Sequence, residues 1–150
     1  FVSKLSKKEL DELLEIREMM EIYAAEKIIN SLTSQDITKI EQIVEEAAKA
    51  IEQSAYEIFM EKDKNLHFMI IRKVGNSELY QLYKNIDIRT RIVRTYHLVP
   101  REELDNRYIR EAQFEHESIL EAIKGRNLDK LKQAIHKHIT NIRMRCMGEI

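Results

Sequence analysis

Apolar residues along this chain recur three and four positions apart, the spacing of helices that bury one face. Short breaks separate six such segments, the clearest being Gly75-Asn76, Pro100 and Gly125. The predicted helices cover about residues 7–31, 35–53, 56–74, 78–97, 102–124 and 128–147. The pattern therefore predicts a single all-α domain, an antiparallel bundle of about six helices.

Polar residues before several segments predict where the helices begin. Ser6, followed three residues later by Glu9, has the spacing of a capping box for the first helix. The second helix is expected to start after Ser34, and Ser77 is the predicted cap of the fourth. Only three glycines and one proline occur in the chain, which favours long helices with short connections.

Three of the apolar stripes are interrupted by side chains that can bind metals. Asp63 and His67 stand one turn apart on the inward face of the third helix. His116 takes an inward position in the fifth helix, and His138 does so in the sixth. We therefore expect one carboxylate and three imidazoles to converge in the core, around a central cavity.

Two interpretations of these four residues are open. Burying any one of them without a partner costs several kcal/mol, and a divalent metal would satisfy all four together. Zn or Ni suits this set, with Mn or Fe as alternatives, and an octahedral ion would keep positions free for water or a small acid. The other interpretation makes each histidine a hydrogen-bonded core residue, with Asp63 and His67 forming a simple ion pair.

The remaining histidines are predicted not to be ligands. His136 is two residues from His138, so it faces roughly the opposite side of the sixth helix and should be exposed. His97 lies near the end of the fourth helix, where a cation is favoured by the helix dipole.

Three further residues are candidates for binding an effector: Arg17, Arg89 and Asn76. Arg17 lies within the apolar stripe of the first helix, with Glu21 one turn later, and Arg89 shares a face with apolar residues of the fourth helix. A guanidinium in such a place can clamp a carboxylate in a bidentate manner. The alternatives are an internal salt bridge from Arg17 to Glu21 and a snorkelling Arg89.

Composition narrows the class of protein. Apolar residues make up 43% and charged residues 34%, which fits a globular domain rather than a disordered one. The net charge of -1 provides no general basic field for DNA or an acidic membrane. A single cysteine, Cys146, excludes a disulfide within the chain, and no apolar run reaches the length of a membrane span, so we expect a cytoplasmic protein.

Known catalytic motifs are incomplete or missing. His116-Glu117 begins like a zinc protease motif, but Leu120 stands where the second histidine belongs, and there is no glycine-rich phosphate loop. A binding role is therefore expected rather than an enzyme. Two rivals stay open: a metal-dependent helical-bundle enzyme acting on a small acid, and an interaction module whose buried polar groups only pair with each other.

Short motifs in order along the chain resemble the C-terminal effector domain, or FCD domain, of GntR-type transcription regulators of the FadR subfamily. The motifs are Arg17-Glu18-Met19-Met20-Glu21 with Ala24-Ala25, Asp63-Lys64-Asn65-Leu66-His67, Gly75-Asn76 with Leu79, Glu115-His116-Glu117 with Ile119-Leu120-Glu121-Ala122-Ile123, and His138-Ile139. Leu66 replaces the family's usual Phe, which affects pocket shape but removes no ligand.

The resemblance implies a sensor. Family members join this bundle to an upstream winged helix that binds DNA, and Phe1-Val2-Ser3 looks like the last strand of its wing. Residues 1–5 would then be a remnant of the wing and linker, and residues 6–150 the effector domain. Many members hold Zn, Ni or a similar ion through the positions of Asp63, His67, His116 and His138, and respond to small organic acids. The family also suggests a homodimer.

Overall fold

The protein is an all-α bundle in the computed structural model, which describes residues 7–97 and 101–147, without the side chains of 93–97, 101–106 and 147. Its helices are α1 (Lys7–Ile28), α2 (Ser34–Glu52), α3 (Tyr56–Lys73), α4 (Ser77–His97), α5 (Arg101–Lys124) and α6 (Leu128–Met147). The six predicted helices are confirmed, and the described ranges contain no strand. The predicted cap Ser6 and the predicted wing remnant lie outside the described residues. None of the described helices is long and apolar enough to cross a membrane.

Helix α1 is central to the packing. It contacts α3, α4 and α6, while α2 packs against α3 and α5, and α5 packs against α6. The main core joins residues from all six helices, among them Leu14, Ile40, Ile70, Tyr83, Ile119 and Ile139. Each of these side chains lies on the three-and-four spacing of its helix, so the apolar stripes account for the bundle.

A distant residue binds the chain just after the end of α1. The guanidinium of Arg126 donates to the carbonyl oxygen of Ile29 at 3.0 Å and to that of Leu32 at 2.7 Å. These carbonyls follow the last turn of α1 and lack helical partners. Helix α1 ends at Ile28, about one turn before the predicted residue 31, and Arg126 satisfies carbonyls that the helix leaves free. A contact across almost 100 positions of sequence leaves no local signal that could have predicted this boundary.

The start of α2 is a reciprocal capping box. The Thr33 hydroxyl accepts from the backbone N–H of Asp36 at 3.1 Å, and the Asp36 carboxylate accepts from the backbone N–H of Thr33 at 3.0 Å. Ser34 is already the first helical residue. The cap therefore stands one residue earlier than the sequence pattern indicated.

The junction between α3 and α4 uses two residues of the Gly75-Asn76 motif. Gly75 has a φ of +76°, a left-handed conformation that glycine adopts without strain. The Asn76 side chain then accepts from the backbone N–H of Leu79 at 3.0 Å and caps α4. The prediction that Ser77 is the cap was wrong by one residue, because Ser77 is inside the helix.

Replacing Thr33 should separate the two candidate caps of α2. Thr33→Ala removes the acceptor for the N–H of Asp36, so the free energy of unfolding should fall by about 1 kcal/mol in a urea titration. Ser34→Ala is the matched control, and it should change the unfolding free energy by less than about 0.5 kcal/mol because the Ser34 side chain is exposed. A larger loss for Ser34→Ala than for Thr33→Ala would contradict the cap assignment.

Candidate metal centre

The structure brings together the four residues that the sequence singled out as metal ligands. Asp63 and His67 come from α3, His116 from α5 and His138 from α6. All four are buried, and one ligand atom of each lies within 4.8 Å of the others. The pairs of imidazole rings have centroids 4.9 to 5.4 Å apart. We call these four residues the aspartate–histidine cluster.

Each of the three histidines directs its Nε2 atom into the core, where that atom has no hydrogen-bond partner. The Nε2 atoms of His67, His116 and His138 are all buried and form no hydrogen bond. The Nε2 of His116 lies 2.8 Å from Asp63 Oδ1, but this short contact lacks hydrogen-bond geometry. The Nε2 of His67 lies 3.6 Å from the same oxygen. Buried polar atoms are normally paired, so this group needs an explanation.

Two buried glutamates form hydrogen bonds with the Nδ1 atoms of two of these rings. Glu21 Oε1 lies 2.5 Å from His67 Nδ1, and Glu115 Oε1 lies 2.7 Å from His138 Nδ1. A carboxylate only accepts, so each Nδ1–H donates to its glutamate. In the neutral imidazole, the Nε2 lone pair then points into the aspartate–histidine cluster, as in carboxylate–histidine–metal arrangements.

Glu21 is itself held by two further groups. The Nε–H of Arg17 donates to Glu21 Oε2 at 2.7 Å, and the Tyr83 hydroxyl donates to the same oxygen at 3.2 Å. Burial alone would raise the pKa of Glu21, but His67 and Arg17 lower it well below its usual value, so the carboxylate stays charged. The internal salt bridge considered for Arg17 is therefore present, and both of its partners are buried.

Glu115 has a corresponding set of partners in α6. Both of its oxygens accept from the guanidinium of Arg145, at 2.9 and 3.0 Å, and Asn141 donates at 2.7 Å. Burial opposes ionisation, but the hydrogen bonds from His138 and Arg145 lower the pKa of Glu115 to about 2. Glu115 is thus an ionised acceptor that fixes the ring of His138.

The ionisable groups of the aspartate–histidine cluster shift the pKa values of one another. Burial would raise the pKa of Asp63, but the neighbouring rings of His116 and His67 lower it far below the usual value. Burial lowers the pKa of His138 to about 3, so this ring is neutral. For His67 the effect of burial is outweighed by Glu21, and its pKa is raised.

The other predicted effector residues do not lie with the cluster. The buried face of α4 consists of Tyr83, Ile86, Asp87 and Thr90. Arg89 is one residue from this face and is exposed, so its predicted inward position was wrong. Asn76 is also exposed and caps α4.

Arg91 occupies the place on α4 that was expected of Arg89. Its Nε donates to both oxygens of Asp87, at 2.9 and 3.0 Å, and its Nη2 lies 3.7 Å from Asp63 Oδ2. Its side chain is 25% exposed, so it connects the edge of the cluster with solvent. The sequence feature that could have identified Arg91 is its spacing: it follows Asp87 by four residues, which places it beside the buried face of α4 that includes Tyr83 and Thr90.

Sequence reasoning also missed Glu115 and Arg145. Arg145 follows His138 by seven residues, which is two helical turns on the same face. Glu115 precedes Ile119 by four residues and lies at the edge of the apolar stripe. Their pairing depends on how α5 meets α6, which the spacing within one helix does not reveal.

The predicted exposure of His136 is confirmed. It is two-thirds exposed, and it pairs with Glu18 of α1 at 3.0 Å, away from the aspartate–histidine cluster. His97 is the last residue of α4, and its side chain is among those outside the description.

A groove of about 490 Å³ lies elsewhere on the molecule, on the outer side of α5 and α6. Its lining includes Phe114, Lys130 and Lys137 but no residue of the aspartate–histidine cluster. The groove is therefore a surface feature separate from the aspartate–histidine cluster.

Comparison with known proteins adds a family and a relative. Residues 12–141 match the FCD domain family. A gluconate operon transcriptional repressor of Bacillus licheniformis is 22% identical over an alignment that covers 92% of this chain. The chain spans 57% of the length of that relative.

Two solved structures share the fold. The McbR/YncC protein of E. coli superposes with a TM-score of 0.86 at 18% identity, covering 98% of this chain and 72% of that one. The metal-free FCD domain of TM0439 has a TM-score of 0.76 at 24% identity, covering 97% of this chain and 96% of that one. At these identities the likeness concerns the fold.

Removing Arg17 should be far more costly than removing Arg89. Arg17→Met leaves Glu21 buried with one cationic partner fewer, so the free energy of unfolding should fall by about 3 kcal/mol in denaturant titrations. Arg89→Met is the matched control, and the change should be less than about 0.5 kcal/mol because Arg89 is exposed. If the two variants lost equal amounts of unfolding free energy, the assignment of Arg17 as buried and Arg89 as exposed would be contradicted.

Proposed function

Because the chain belongs to the FCD domain family, we propose that it is the ligand-sensing domain of a bacterial transcription regulator. In this proposal the aspartate–histidine cluster holds one divalent metal ion, and the ion supplies a Lewis-acid anchor for a small organic acid. Binding of the acid changes the operator affinity of an upstream winged-helix domain. The regulator acts as a homodimer that reads two half-sites of DNA.

One observation carries the metal site: three buried Nε2 atoms without hydrogen bonds surround one carboxylate. An unsatisfied buried polar atom costs about 1–3 kcal/mol, so three together would be a heavy penalty for a domain of this size. A metal ion accepts all three lone pairs and the carboxylate charge at once. The glutamates behind His67 and His138 support this, because they direct the lone pairs inward.

The size of the cluster also fits an ion. Two donors bound at about 2.1 Å from one ion can be at most about 4.2 Å apart. The donors here lie within 4.8 Å of one another, so side-chain shifts of a few tenths of an ångström would complete the site. Three imidazoles and one carboxylate suit Zn or Ni, with Mn and Fe as alternatives.

The effector is proposed to be a carboxylate, with Arg91 as a second contact beside the metal. Arg91 lies at the edge of the cluster and is partly exposed, so its guanidinium can exchange Asp87 for an incoming carboxylate. Arg17 is less available, because it is buried against Glu21. The repressor relative is connected by its name with gluconate, a small hydroxy acid.

The enzyme alternative is not favoured. The family and the repressor relative belong to transcription regulation rather than to catalysis. An interaction module without metal is disfavoured by the unpaired Nε2 atoms, because groups that merely pair with each other would leave none unsatisfied.

Elemental analysis of the purified chain should give about one divalent metal per chain. His116→Ala and His138→Ala each remove a ligand, so both should lose the metal and its stabilising effect on thermal unfolding. His136→Ala is the matched control: its ring faces Glu18, so metal content should be unchanged. A metal-free wild-type chain that no divalent ion stabilises would overturn the proposal.

A thermal-shift screen of small carboxylates on the metal-loaded chain should identify the effector class. Gluconate and other mono-, di- and tricarboxylates are the probes, and a specific acid at 100 times its dissociation constant should stabilise the fold by ~2.7 kcal/mol. Arg91→Met should weaken this response, whereas Arg89→Met should leave it intact.

Two results of the screen would contradict different parts of the proposal. If no acid stabilises the metal-loaded chain, the organic-acid class is wrong. If an acid binds equally well to wild type and Arg91→Met, the class stands but Arg91 is not the contact.

A further inference from the structure

A second buried carboxylate lies beside the aspartate–histidine cluster without belonging to it. Asp87 of α4 is only 2% exposed. The guanidinium of Arg91 stands between it and Asp63: Arg91 Nε donates to the two oxygens of Asp87 at 2.9 and 3.0 Å, and Arg91 Nη2 lies 3.7 Å from Asp63 Oδ2. A buried charge is costly, so the presence of Asp87 at this place needs its own explanation.

Asp87 receives few hydrogen bonds for a buried carboxylate. A single N–H, that of Arg91 Nε, is shared between its two oxygens, although an ionised carboxylate can accept about four hydrogen bonds. Among the residues whose side chains the structure describes, 7–92 and 107–146, no other group donates to it. Glu115, which is also buried, accepts four hydrogen bonds. Asp87 therefore keeps acceptor capacity for a further donor.

The buried face of α4 around Asp87 is polar on successive turns. Tyr83, Asp87 and Thr90 are all buried, and their spacing of four and three places them on one stripe of the helix. The hydroxyl of Thr90 donates to the carbonyl oxygen of Ile86 at 2.8 Å, so its oxygen can still accept. A ligand that contacts Arg91 from the interior is thus next to oxygen atoms, which favours a ligand with hydroxyl groups over one with a hydrocarbon chain.

A carboxylate without a hydroxyl is poorly matched to Asp87. If Arg91 turns to such an acid, Asp87 loses its donor and becomes an unpaired buried charge. If Arg91 keeps Asp87 through Nε and binds the acid through its Nη atoms, two negative charges lie side by side. In both arrangements a hydroxyl next to the carboxylate of the acid reduces the cost, because its O–H donates to Asp87 in a charge-assisted hydrogen bond.

We propose that Asp87 is a specificity-determining residue that binds a hydroxyl group of the effector, so that this chain responds to hydroxycarboxylates in preference to other carboxylates. Arg91 binds the carboxylate of the effector, and Asp87 accepts from the hydroxyl of the same molecule. An acid without the hydroxyl leaves a buried polar group unpaired, which is a strong basis for discrimination. This inference rests on the proposed function, which gives the effector as a carboxylate without distinguishing among acids.

Matched pairs of acids test the preference on the unmodified chain. Each acid that stabilises the zinc-loaded chain in the carboxylate screen is compared by isothermal titration calorimetry with the analogue that differs by one hydroxyl, as malate with succinate or lactate with propionate. The hydroxy acid should bind about tenfold more tightly or better, because a hydrogen bond to a charged group contributes at least about that factor. This comparison does not depend on the folding of any variant.

Asp87→Asn tests whether Asp87 is the residue responsible. The amide keeps the size of the side chain and removes its charge, so the dissociation constant of the hydroxy acid should rise about tenfold or more. That of the analogue without the hydroxyl should change by less than about threefold, because it makes no hydrogen bond to lose. Glu78→Gln is the matched control on the same helix: Glu78 is exposed, and both constants should stay as in the wild type. Circular dichroism and metal content are measured on the same samples.

The outcomes separate this inference from the proposed function. If both members of every pair bind the wild type equally well, or if Asp87→Asn with its metal retained keeps the preference, Asp87 does not recognise a hydroxyl, while the carboxylate effector stands. If no acid of either kind binds the metal-loaded chain, the carboxylate effector is wrong and the role of Asp87 falls with it.

Discussion

The burial of three imidazole nitrogens around one carboxylate is the constraint on which the interpretation of this bundle depends. An imidazole can be hidden in a core when both of its nitrogens are satisfied, and here only the Nδ1 atoms of His67 and His138 meet glutamates. The Nε2 atoms of all three rings are left facing Asp63 and one another. Hydrogen bonds cannot satisfy the set as it stands, since one carboxylate oxygen serves two rings at 2.8 and 3.6 Å.

The same constraint explains why so many charged residues are buried in a domain of this size. Glu21 and Glu115 are needed to orient the rings, and each buried carboxylate then requires its own cation, which Arg17 and Arg145 provide. One polar network thus extends from α1 through α3, α5 and α6. A buried network of this kind adds little net stability. It favours one packing of the helices over the alternatives, because a different packing would leave a buried charge without its partner.

The inward direction of the cluster residues could be predicted from the sequence, whereas contacts between residues far apart in the chain could not. Asp63, His67, His116 and His138 each interrupt an apolar stripe, so their inward direction was readable. The contact of Arg126 with the carbonyls after α1 joins residues far apart in the chain, and the Glu115–Arg145 pair depends on the packing of α5 on α6. Helix α4 was misread because apolar residues occur on several of its sides, so the exposed stripe with Arg89 looked as good as the buried one with Tyr83.

The proposed metal site is connected through Glu21 to two further helices, α1 and α4. Tyr83 of α4 and Arg17 of α1 both bind Glu21, and Glu21 holds the ring of His67. An effector can shift the conformation of the domain only if it binds two arrangements of the domain with different affinity. In the proposed sensor, a shift of His67 would alter the hydrogen bonds of Glu21, which join α1 to α4. The bond of 3.2 Å from Tyr83 is the longest of the three to Glu21, so it is the contact that a small movement would break first.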